Sequence, residues 1–153
     1  MYRRLGRTNL QVSVVGFGTC QLRMVPHNSA IDTLMRGFAL GVNIIHTAPD
    51  YEGADEIVRE AIRRSRHQVV VCSQGYGSMA NFEELFERTY MKFAPQNGAL
   101  AMFGIACVDD REMLGENVWG TRGMVDFLQK KNGRAGCWAR FVRRTGVPIT
   151  SVS

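Results

Sequence analysis

The residues best placed to do chemistry lie close together at His46, Thr47, Asp50, Tyr51 and Glu52. A largely apolar run, Val42 to Ile45, ends abruptly at this group, and Gly53 and a helix-like segment from Ala54 to Arg64 follow it. A buried parallel strand delivers side chains to a site at its C-terminal end in this way. An imidazole titrates near neutrality and a phenol near about 10, so His46 and Tyr51 form a candidate proton-handling pair. The competing reading of His46 is a polar residue at a strand end that does no chemistry.

Other groupings are weaker. Gly16-x-Gly18 after an apolar run invites a dinucleotide-binding reading. However, Gln21 occupies the third glycine position, Pro26 and Asn28 oppose a helix there, and residues 37–43 hold no acid. Cys20, Cys72, Cys107 and Cys137 are far apart, and none pairs closely with His27, His46 or His67. No metal site is expected from that spacing, and buried, reduced cysteine acting as a small hydrophobe is the simpler reading. Basic residues gather at Arg59, Arg63, Arg64 and Arg66, and again from Lys130 to Arg144, giving a net charge of +5. This reads as a solvated helix face and a basic tail rather than a nucleic-acid surface.

The elements that must position His46 and Tyr51 follow from periodicity. Residues 2–13 read as two short strands around a turn at Gly6 to Asn9, and Val14 to Thr19 as a buried strand leaving through glycines. Ser29 with Asp32 suggests a helix start, with Ala30, Ile31, Leu34, Met35 and Phe38 inward and Gly41 at the end. Val42 to Ile45 is the next strand, and Ala54 to Arg64 a helix facing inward through Ile57, Val58, Ala61 and Ile62. Gln68 to Cys72 is a strand ending at Ser73-Gln74-Gly75. Asn81 with Glu84 suggests another helix start, with Phe82, Leu85, Phe86 and Phe93 inward and a break at Pro95 to Gly98. Ala99 to Ala106 is a further strand, and Thr121 to Lys131 a further helix closed by Asn132-Gly133. Strand and helix thus alternate four times, which means parallel strands with right-handed crossovers. A small doubly wound sheet and part of a (β/α)8 barrel both fit. A complete barrel takes about 250 residues, and this chain has 153.

Several of these segments together resemble the aldo-keto reductases. Tyr2 to Ser13 looks like the opening hairpin of the bacterial members, and Gly16-Phe17-Gly18-Thr19 like their first barrel strand. Ala39-Leu40-Gly41-Val42-Asn43 leading into Thr47-Ala48-x-x-Tyr51 resembles the second strand and its Asp-Thr-Ala-x-x-Tyr-Gly loop. Glu56-Ile57-Val58 and Leu128-Gln129-Lys130-Lys131 match later helices. The resemblance covers residues 1 to about 133 and is most specific over 1–75. It implies an N-terminal hairpin followed by about four βα units, a partial (β/α)8 TIM barrel over 1–133, with a divergent tail over 134–153. A truncated or frame-shifted reading frame would produce such a tail, as would a short paralogue.

The family reduces carbonyls with a nicotinamide hydride, using tyrosine, aspartate, lysine and histidine. A phenol protonates the developing alkoxide, and an ammonium beside it lowers its pKa toward working pH. By resemblance the tyrosine falls on Tyr51, the aspartate position on His46, the lysine position on Gln74 and the histidine position on Ala106. One of four is retained. The catalytic candidates are therefore Tyr51, His46 and Gln74, and the cofactor-binding candidates for NADPH are Gly18, Thr19 and His46, with weak binding expected because the later strands carry most phosphate contacts. The reading is an aldo-keto reductase-like oxidoreductase, a fragment or impaired member, acting on a small carbonyl substrate if active. The alternative is a non-catalytic relative that binds a ligand or partner.

At 45% hydrophobic and 22% charged residues the chain reads as one globular domain. Its apolar runs fall far short of the ~18 residues of a membrane span, and its start leads into no apolar signal core, so a cytoplasmic location without membrane attachment is expected. A half-barrel exposes two strand edges, which implies a homo-oligomer or a complementing protein.

Overall fold

The computed structural model describes residues 1–6, 8–94, 100–107, 115, 118 and 122–131. β1 (Tyr2–Arg4) and β2 (Gln11–Ser13) form an antiparallel hairpin that pairs Tyr2 with Ser13 and Arg4 with Gln11. A four-stranded parallel sheet follows in the order β3 (Phe17–Gly18), β4 (Ile44–His46), β5 (Val70–Gly75) and β6 (Leu100–Ile105). Between and after these strands run α1 (His27–Ala39), α2 (Ala54–Arg64), α3 (Met79–Phe93) and α4 (Met124–Lys131).

Side-chain alternation decides between the two architectures. Ile45 and Val71 pack with Ile31, Leu34, Phe38, Ile57 and Val58 of α1 and α2. On the same sheet face, Phe103 and Ile105 pack with Phe82, Phe86 and Leu128 of α3 and α4. The opposite face carries Ile44, Val70, Cys72 and Met102, and what lies against it is the hairpin, through Leu5, Leu10 and Val12. A doubly wound sheet would place helices on both faces. All of these helices lie on one face and the strand order is sequential, which is the arrangement of part of a (β/α)8 barrel. Asn43 fastens the hairpin beneath the sheet: its side chain accepts from the Ser13 N–H at 2.8 Å and donates to the Gln11 carbonyl at 2.9 Å.

Several boundaries differ from the periodicity. Val14 and Val15 are 53% and 65% exposed, and the first barrel strand is only Phe17–Gly18, because the chain is still travelling from the hairpin to the sheet. Gly16 marks a tight approach rather than a phosphate cradle, since a Cβ there would lie 2.9 Å from the Ile44 side chain. α1 begins at His27, right after Pro26, and not at Ser29. Pro26 presets the helix entry, and no side chain caps it. α3 begins two residues before Asn81 because the Ser78 hydroxyl accepts from the Asn81 N–H at 3.3 Å. β4 and β5 start two residues later than the apolar runs, and β5 runs on to Gly75, so Gln74 lies inside it. The helix-closing residues Asn132-Gly133, the break at 95–98 and the tail over 134–153 lie outside the described residues. No helix among those described is long and apolar enough to cross a membrane.

Candidate functional site

The C-terminal edge of the sheet gathers the predicted residues. His46 is the last residue of β4, Gln74 the last but one of β5, and Ala106 follows β6, its N–H donating to the Gly75 carbonyl at 2.9 Å. His46 pairs across the ladder with Cys72, which puts His46 and Gln74 on the same, inner face of neighbouring strands. Burial lowers the His46 imidazole below its ordinary value, and the neighbouring Gln74 carboxamide opposes that effect. The two positions that resemble an aspartate and a lysine therefore hold an imidazole whose charged form burial disfavours and an uncharged carboxamide.

Tyr51 rides on the turn that follows β4. The turn is closed by Tyr51 N–H to the Ala48 carbonyl at 3.0 Å and Ala54 N–H to the Tyr51 carbonyl at 2.8 Å. Gly53, at φ +72°, then redirects the chain into α2, a left-handed conformation that favours glycine. The phenol ring stands edge-on to His46, with centroids 6.3 Å apart. The structure thus brings His46 and Tyr51 into ring contact. Burial raises the Tyr51 phenol above its ordinary value, and Cys20, Asp50 and Cys107 raise it further. An acidic phenol needs the opposite influence, a neighbouring cation.

The cysteines depart from the expected pattern. Cys72 is buried, but Cys20 and Cys107 are exposed, because each lies just beyond a strand end on the rim of the site. None of the three forms a disulfide, and Cys137 lies outside the described residues. Among the described residues no three His, Cys, Asp or Glu side chains converge as metal ligands. The basic residues Arg59, Arg63, Arg64 and Arg66 are exposed, with Arg63 and Arg64 paired to Glu60 along α2.

Tested as an NADPH site, these residues do not fit the cofactor. Thr19 is fully buried, and both its hydroxyl and its N–H donate to the His46 carbonyl, at 3.2 and 3.1 Å. Gly18 is exposed and contributes no side chain, and burial disfavours the charged form of the His46 imidazole. Of the three candidates, none offers a fixed positive charge to the cofactor's phosphates.

Sequence pattern did not single out the residues that hold the turn. Arg88 of α3 donates from Nη2 to the Pro49 carbonyl at 3.1 Å. Lys92 pairs with Asp55 and, at 3.1 Å, with Glu56. Burial raises the Asp55 carboxyl, while Glu56 is held down at about 2, foremost by its hydrogen bond with Asp55. Asp55 was the available signal, as an acid that falls between inward-facing helix positions.

No protein-family model matches the sequence. A segment of 74 residues is 34% identical to an uncharacterized oxidoreductase of Bacillus subtilis, covering 47% of this chain and 24% of that protein. Another of 55 residues is 42% identical to the L-galactose dehydrogenase of Arabidopsis thaliana, covering 33% of this chain and 17% of the relative. Among solved structures, a Pseudomonas aeruginosa protein assigned to the aldo-keto reductases superposes with a TM-score of 0.74 at 23% identity, over 92% of this chain and 59% of that one. A thermostable aldo-keto reductase superposes at 0.68 and 17% identity, over 92% and 53%. The fold is thus that of the aldo-keto reductase barrel in part, and the chain spans just over half the length of these two solved structures.

Proposed function

We propose that this chain is an aldo-keto reductase-like oxidoreductase by descent, with its carbonyl-reducing site neutralised, so that NADPH-dependent reduction by this chain is near background. The placement of His46 and Gln74 side by side on the inner sheet face carries the reading. They fill the place of the family's ionic pair with an imidazole whose charged form burial disfavours and an uncharged carboxamide, and so leave Tyr51 without the cation the family sets there. Losing a positioned general acid typically costs about 10²–10⁴-fold in rate. What remains on the rim is an imidazole, a carboxamide and a phenol, a set suited to holding a small neutral molecule by hydrogen bonds. This favours the second reading, a non-catalytic relative that binds a ligand or a partner protein.

The experiment is NADPH oxidation with a reactive aldehyde by the wild type, Tyr51→Phe and the double variant His46→Asp/Gln74→Lys. All three are expected to lie near background, the double variant included, because a loosely oriented cofactor forfeits most of the rate advantage of proximity. Clear turnover by the wild type that Tyr51→Phe abolishes would overturn the proposal.

A further inference from the structure

Two long cations on one face of α3 reach the segment that carries Tyr51. Arg88 and Lys92 are one helical turn apart and so share a face. Arg88 holds the Pro49 carbonyl at 3.1 Å, just before Tyr51. Lys92 holds Asp55 and Glu56, in the first turn of α2 just after it. The two contacts bracket the turn. Its ends are firm, since Ala48 is 1% and Asp55 7% exposed, whereas Glu52 and Gly53 between them are exposed and Tyr51 is half-buried. A short exposed span between two fixed ends keeps one geometry only while both ends are held.

We propose that Arg88 and Lys92 are positioning residues for Tyr51: α3 clamps the 49–56 segment at two points and so holds the phenol against His46 at the mouth of the sheet. The proposal rests on Tyr51 as the hydrogen-bonding phenol of the proposed site, but its test needs no turnover and stands apart from whether the chain reduces carbonyls. Lys92 acts at the firmer end, where the buried Asp55 carboxylate requires a counter-charge. Arg88 acts at the looser end, where its side chain is exposed and contributes little to overall stability.

The test uses the full chain carrying ζ-13C tyrosine, with the Tyr51 signal assigned by its absence in Tyr51→Phe. Two quantities are followed: the pH titration of that signal and hydrogen exchange at the Tyr51 and Ala54 amides. Arg88→Ala is expected to speed exchange at these two amides about three- to tenfold, the worth of one hydrogen bond. It should also move the Tyr51 titration down toward its ordinary value, while amides in the middle of α2 and α3 keep their rates. Arg88→Lys, which keeps a donor, should retain most of the protection. Unchanged exchange and titration in folded Arg88→Ala would overturn the proposal. Equal acceleration across the turn, α2 and α3 would overturn it too, because Arg88 would then merely stabilise the fold. If Arg88→Ala does not fold, Arg88→Met keeps an aliphatic stem without a donor and is read in the same way, and failure of both to fold assigns Arg88 a structural role instead.

Discussion

His46 and Gln74 differ from an ionic pair in how they respond to pH. Burial lowers the imidazole pKa in the folded state, so the folded protein resists the proton that the unfolded chain accepts near 6.5. In the window between the lowered folded value and about 6.5 the unfolded state binds more protons, and stability rises with pH. Above that window both states are neutral, and below it both are charged. Denaturant midpoints measured from pH 5 to pH 8 should therefore climb for the wild type and flatten for His46→Asn, which keeps a polar group beside Gln74 but does not titrate. A wild-type profile as flat as that of the variant would mean the imidazole is not held neutral by its surroundings. Tyr51 behaves in the complementary way. Its raised pKa keeps the phenol protonated well beyond neutrality, suiting it to donate a hydrogen bond rather than to give up a proton.

At the scale of elements, local pattern was most legible where one amphipathic stripe meets one sheet face. α2 runs from Ala54 to Arg64, with Ile57, Val58, Ala61 and Ile62 buried as their spacing requires. The inward aromatic face of α3 was equally readable, and it supports a sharp expectation. Phe86 is fully buried, its ring centroid 5.2 Å from that of Phe103 and 5.3 Å from that of Phe127, both edge-on. Phe86→Ala should cost about 3–5 kcal/mol by chemical denaturation, because three elements would collapse only partly into the void. A loss below about 1 kcal/mol would show that β6 and α4 are not packed on α3 as described. What pattern could not supply was anything fixed by distant chain. Asn43 looks like a strand residue, yet its amide fastens the hairpin thirty and more positions away. Ser78, Arg88 and Lys92 carry no periodic signal, because a single hydrogen bond to a cap, a carbonyl or a buried acid leaves no repeat in the sequence. In the sequence His46 and Gln74 are two separate substitutions. That they stand side by side on one face is a property of the register between β4 and β5, which no local window contains.

The whole molecule raises the question of its edges. Among the described residues the sheet ends at β3 on one side and β6 on the other, with every strand parallel. A terminal strand offers a row of backbone donors and acceptors to any strand that arrives in register. Complete barrels with this fold remove both edges by closing, and the chain spans 53–59% of the length of the two relatives described above. The approach to β3 is also apolar on its exposed side, with Val14 and Val15 both more than half exposed. A second copy related by a two-fold axis along the barrel would set β6 of one beside β3 of the other, parallel, at both seams. A complementing chain with strands of the same sense would serve equally well. In isolation the protein should therefore sediment as a dimer or larger assembly. Val15→Lys, which sets a charge at the approach to β3, should weaken that association at least about tenfold, a difference of about 1.4 kcal/mol. Sedimentation as a well-folded monomer, with no binding of a dye that reports exposed apolar surface, would show instead that the chain covers its own edges.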